Sequence, residues 1–174
     1  AKRKATLSSA ASERQIYFHP KGWFYVDVFL DKLLVANHPI NFVGRLELDY
    51  PTATVTDILL EKLQMWEAFS VKDLKDCLLL FKANNVKEGS DKEGIDASHI
   101  AKVLAQDWGF YYTVTENLKK IRDRLPSLSE LGDEDRKDIS AKLQTVLKAI
   151  EDQPKAMSWK MRARVGAKKK WYRE

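Results

Sequence analysis

Three histidines, one cysteine and a scatter of carboxylates are the first residues to weigh for proton transfer, nucleophilic attack or metal binding. His19 and His38 each precede a proline, which forces the residue before it toward extended backbone, so both belong to turns. His99 lies three residues after Asp96 near a helix start, a pairing common on surfaces. None stands at a Cys/His spacing that would hold zinc. Cys77 sits in "DLKDCLLLF", on an apolar helical face, and reads as core. Glu47 and Asp49 are two apart in an alternating run, so a strand would place both carboxylates on one face. A metal could use such a pair, but alternation with Leu46 and Leu48 makes a solvated sheet face the default. No glycine-rich phosphate loop, GxSxG, HExxH or DxDxDG calcium loop occurs. The expectation is a protein without catalytic residues, metal, cofactor or small-molecule substrate.

Binding chemistry is concentrated at the two ends. The tail "SWKMRARVGAKKKWYRE" interleaves cations with aromatic rings. Cations pair with phosphates, and rings stack on bases or lie at a membrane interface. Lys160, Arg162, Arg164, Lys168, Lys169, Lys170, Trp171, Tyr172 and Arg173 are therefore candidate contacts to an anionic partner, with Lys2, Arg3 and Lys4 at the other end. Lys160 and Arg164 are four apart and share a face if the segment is helical. The net charge of +5 conceals an asymmetry: residues 1–21 carry +4, residues 154–174 carry +7, and the stretch between them −6. Basic arms attract RNA or an anionic membrane surface, and equally the acidic body of a neighbouring copy. Glu47 and Asp49 are the candidate self-association face on that body.

The elements that must position these groups read as an α+β fold. Residues 1–14 form a basic arm without apolar pattern, 15–153 a single core, and 154–174 a basic aromatic tail. Within the core, 15–83 is mixed, 84–94 is a polar loop and 95–153 is helical. "QIYFHPKGWFYVDVFL" has strand composition broken by turn residues, and "DKLLVANHPINF" continues it. "FVGRLELDY" alternates with period two and predicts a half-buried strand, stopped by Pro51. Together these predict a small antiparallel sheet packed with helices. Thr54 or Thr56 caps the following helix, with Leu59, Leu63 and Trp66 on its stripe, and Leu74, Cys77, Leu78 and Phe81 mark a second. Ile100, Val103 and Leu104 mark a third, ending at Gly109 before a short aromatic segment. Thr113-x-x-Glu116 predicts a capping box for a fourth, closed by Pro126. The clearest helix follows, with acids in its first turn, Ile139, Leu143, Val146, Leu147 and Ile150 as its stripe, and Pro154 after it. The tail predicts a basic helix through Arg164 and extended chain beyond.

Residues 42–82 bear a family likeness. "FVGRLELDYP", "TVTDILLEKLQMW" and "DLKDCLLLF" form a strand, a proline stop, an amphipathic helix with a late tryptophan, and a second aliphatic helix. This order resembles the central core of rhabdovirus matrix proteins, and the size is similar to the small members that infect plants. The N-terminal Lys2, Arg3 and Lys4 look like that family's nucleocapsid- and membrane-contacting arm. The chain departs from the family in its helical second half and in lacking proline-rich late-budding motifs. The resemblance implies a non-enzymatic protein that self-associates, condenses a ribonucleoprotein or nucleocapsid RNA and touches a membrane, with the virion as its location. The alternative is an RNA-associated structural subunit of a large ribonucleoprotein such as an organellar ribosome. The serine-rich basic start has the flavour of a transit peptide to a mitochondrial or plastid matrix. A single cysteine fits an intracellular, reducing compartment, and no apolar run approaches the ~18 residues of a membrane span.

Overall fold

The computed structural model describes residues 14–30, 32–33, 38–87, 89 and 94–172. Among them the fold is α+β, with short strand pairs in the N-terminal half and helices carrying the core and the C-terminal half. Strands β1 (Arg14–Phe18) and β2 (Tyr25–Phe29) form an antiparallel hairpin, paired from Arg14↔Phe29 to Phe18↔Tyr25. Its turn closes through His19, whose amide donates to the Phe24 carbonyl at 2.9 Å. Strands β3 (Lys32–Leu33) and β4 (Ile40–Asn41) make a second antiparallel pair. Instead of one sheet, the described residues form separate two-stranded pairs.

The core is built by helices. Helix α1 (Val55–Leu63) starts at Thr54, whose hydroxyl accepts from the Asp57 amide at 3.2 Å. Helix α2 (Val71–Ala83) starts with a reciprocal capping box between Ser70 and Asp73. Leu59, Leu60 and Leu63 of α1 and Cys77, Leu78 and Phe81 of α2 bury the faces that their spacing predicts. Helix α3 (Ala97–Leu104) is capped by Asp96 and packs mainly against α5 (Asp133–Asp152), the longest helix. Helix α4 (Trp108–Arg124) lies against α1, α3 and α5. Ile100 and Leu104, then Phe110, Val114, Leu118 and Ile121, then Ile139, Leu143, Val146 and Ile150 complete one continuous apolar cluster. A 3-10 turn at Leu125–Ser127 holds Pro126 and closes α4.

Four expectations are corrected. The strand expected over 42–50 is a run of turns: the amides of Arg45, Leu48 and Thr52 donate to the carbonyls three residues back. Gly44 adopts φ +71°, which breaks an extended run. Arg45, expected on the wet face, turns inward to Asp57, while Leu46 and Tyr50 are exposed. Glu47 and Asp49 therefore lie in turns and share no sheet face. Second, Trp66 lies beyond α1, which ends with Gln64 as C-cap.

Third, α4 starts five residues before Thr113, because the Asp107 carboxylate accepts from the Phe110 amide at 3.0 Å. Gly109 sits inside the helix instead of ending one, and Thr113 is a fully buried interior residue, not a cap. Gly109 has a packing reason: a Cβ there would lie 3.2 Å from both His38 Cε1 and Trp171 Cβ. Fourth, the polar loop at 84–94 contains β5 (Val86–Lys87), which pairs in parallel with β6 (Ile95–Asp96) at the entry to α3.

Candidate anionic-partner interface

The tail folds back onto the core. The Lys155 ammonium donates to the last carbonyls of α5, to Gln153 at 2.8 Å and also to Ile150, so this cation caps the negative helix end. The Ala156 amide donates to the Ala105 carbonyl at 3.0 Å, tying the tail to the end of α3. Helix α6 (Met157–Val165) follows, as its basic pattern predicts. One side of α6 faces α4: the Trp159 ring meets Tyr111 edge-on with centroids 5.0 Å apart, and the Arg162 guanidinium lies 4.5 Å over the Trp108 ring. Arg162 also donates to the carbonyls of Gly166 at 2.7 Å and Lys169 at 2.5 Å, which fixes the 3-10 turn after α6.

The chain then reaches an aromatic cluster. Trp171 packs edge-on against Tyr112 at 4.7 Å, Trp66 at 4.8 Å and Trp108 at 5.9 Å. Its indole N–H donates to the Thr113 hydroxyl oxygen at 3.1 Å. The same hydroxyl lies 3.3 Å from His38 Nε2, whose other ring nitrogen faces the Asp107 carboxylate at 3.6 Å. His38 thus bridges the Thr113 hydroxyl and the Asp107 carboxylate. That contact with His38, opposed by burial and helped by the Phe110 amide, holds the Asp107 carboxyl below the usual carboxylate range. Tyr172 donates to Glu67 at 2.6 Å, and its ring lies beside Trp66.

The predicted tail residues thus divide by role. Arg162, Trp171 and Tyr172 are anchors, their side chains half-buried against the core. Lys170 lies 4.8 Å from the Tyr172 ring. Lys160, Arg164, Lys168 and Lys169 are exposed, and among the described residues no side-chain ion pair engages them. Lys2, Arg3, Lys4 and Arg173 lie outside the described residues. The anchoring partners Trp66, Trp108, Tyr112 and Thr113 carried no binding signal, because a residue's long-range partner is not encoded in its spacing.

No protein-family model, curated protein or solved structure matches this chain.

Two further features bear on chemistry. Arg45 Nε contacts Asp57 at 2.6 Å, and Asp57 is 1% exposed. The Arg45 guanidinium also lies 3.3 Å from His99 Nδ1, so His99 belongs to this internal network and not to a surface pair with Asp96. Burial, then the nearby Arg45 charge, push the His99 imidazole below its ordinary pKa. The network is built for folding: Thr54, Asp57 and Arg45 join the start of α1 to the turns before it. Among the described residues no group of three His, Cys, Asp or Glu side chains is placed to hold a metal ion. No described helix is long and apolar enough to cross a membrane.

The β1–β2 hairpin exposes a second surface. Phe18, Trp23, Phe24, Tyr25 and Val26 are all exposed, with Lys21 Nζ 4.8 Å over the Trp23 ring. Successive residues of a strand point to opposite faces, so both faces of the hairpin's outer half are apolar.

Proposed function

We propose that this chain is a non-enzymatic assembly protein that associates with its own copies and binds a polyanionic surface, as a small matrix protein would. The observation that carries this reading is the held cationic segment. From Pro154 to Tyr172 there is no Asp or Glu, and anchors on both sides of Lys160, Arg164, Lys168 and Lys169 keep these cations at the surface. Cations held in place lose less conformational freedom on binding than cations on a frayed end. Self-association is supported by the exposed aromatic hairpin, an apolar surface that contact with another chain would cover. The acidic middle of the chain supplies the opposite charge for a neighbour's basic segment.

The test measures binding to RNA and the size of the protein across a salt series. Growth of assemblies at low salt and salt-sensitive RNA binding are expected. Replacing Lys160, Arg164, Lys168 and Lys169 by Ala should weaken that binding and flatten its logarithmic salt dependence by about 0.7–0.9 for each phosphate no longer neutralised. Unchanged binding overturns the assignment of the surface. A protein that stays monomeric and binds only structured RNA supports instead a structural subunit of a large ribonucleoprotein.

A further inference from the structure

Helix α6 has an outward face that its charge does not explain. Successive residues of a helix turn by about 100°, which places Met157, Met161 and Val165 within an arc of about 80°. Their exposures are 72%, 63% and 44%, so the stripe is unpartnered along the whole helix. Lys160 and Arg164 border it within about 60° on the same wheel. Trp159 and Arg162, the residues that dock on α4, point the other way. Helix α6 is therefore amphipathic twice over: one side is docked, and the other is an aliphatic stripe edged by cations.

We infer that this face lies flat on an anionic phospholipid surface, with Met157, Met161 and Val165 entering the boundary between headgroups and acyl chains and Lys160, Arg164, Lys168 and Lys169 meeting the headgroups. The inference rests on the polyanion-binding reading above and names its partner. Charge complementarity selects an anionic occupant, since the segment from Pro154 to Tyr172 carries no acid. The stripe selects lipid over RNA, because phosphate contacts are made by cations and backbone amides and leave exposed methionines unused. Unbranched methionine side chains adapt to an irregular, fluid surface better than a shaped groove requires. Each cation near such a surface contributes roughly a fivefold gain in partition, and the stripe adds a part that salt does not remove.

The experiment uses the full chain and three probes: vesicles of phosphatidylcholine with phosphatidylserine, vesicles of phosphatidylcholine alone, and RNA. The chain should sediment with the anionic vesicles and not with the neutral ones. The triple variant Met157→Ser, Met161→Ser, Val165→Ser should lose at least about tenfold in vesicle partition and keep its RNA affinity. These positions are exposed, so an unchanged melting temperature verifies the fold, and Met157→Leu with Met161→Leu should restore partition. The four-cation Ala variant should lose binding to both probes. RNA binding without vesicle binding overturns the lipid inference and leaves the polyanion reading standing; loss of both probes in neither variant overturns that reading too. A loss of vesicle binding in Trp23→Ser with Phe24→Ser, but not in the α6 variant, moves the lipid contact to the hairpin and overturns the assignment to α6.

Discussion

The Trp171 indole donates a hydrogen bond to the Thr113 hydroxyl at 3.1 Å, joining the last described turn of the chain to the buried interior of α4. A residue that reads as an exposed stacking platform is a clasp, and a residue that reads as a helix cap is its catch. The clasp decides which tail cations face outward. It also sets the first expectation. Trp171→Ala should cost about 2 kcal/mol, less than a fully buried tryptophan because the ring is half-buried. Lys168→Ala with Lys169→Ala should stay within about 0.5 kcal/mol. Urea titration of the three proteins checks this; equal stability of all three would falsify the docked tail.

Arg45 and Asp57 form a nearly dry ion pair at 2.6 Å. Arg45→Met leaves the Asp57 charge buried without its partner, and should destabilise the chain by about 3 kcal/mol or more. Adding Asp57→Asn to Arg45→Met should recover part of the loss, since a neutral amide is cheaper to bury. Thermal unfolding of the single and double variants gives the comparison, and additive losses would show that the two side chains do not act as a pair.

Gln64 is fully buried, and neither its amide oxygen nor its amide nitrogen has a hydrogen-bond partner. Unpaired polar atoms in a core cost about 1–3 kcal/mol, so Gln64→Met, of similar length, should raise stability by about 1 kcal/mol. A drop in the melting temperature would mean that the amide is satisfied in solution.

The folded chain holds His99 neutral at pH values where an unfolded chain takes up a proton, because burial and Arg45 disfavour its charge. That contribution is complete above the unfolded value of about 6.5 and fades as pH falls from there through the lower folded value. Melting temperature should therefore decline as pH falls below about 6.5, and the decline should be shallower in His99→Gln. Superposable profiles would remove His99 as the cause. Asp96 acts at lower pH: burial opposes its ionisation, but hydrogen bonds from the His99 amide, Ser98 and the Gly89 amide hold its carboxyl below the ordinary range.

Burial, followed by the charge of Asp73, pushes the Cys77 thiol up to about 12. The nucleophile is the thiolate, so Cys77 should resist maleimide at pH 8 until the chain is unfolded in urea. Rapid labelling of the native protein would place Cys77 at an opening in the α1–α2 packing.

Patterns within one turn or one helix were legible in the residues alone. A threonine cap at 54 or 56, the stripes of α2 and α5, the hairpin turn at His19 to Gly22, the end of α4 at Pro126 and the basic helix through Arg164 are local, and each follows from spacing or from a single residue's conformational preference. They determine an α+β chain with a helical second half and a cationic end. The tertiary structure decided the rest. Period two at residues 42–50 needs a ladder partner to become a strand; Arg45 found Asp57 instead, and Gly44 turned the chain. A glycine at 109 looked like a stop, yet its missing side chain is what lets His38 and Trp171 close on α4. The alternation of rings and cations at the C-terminus reads as one binding surface, but packing divides it: Trp171, Tyr172 and Arg162 dock half-buried against other rings, and Lys160, Arg164, Lys168 and Lys169, costly to desolvate, stay in water.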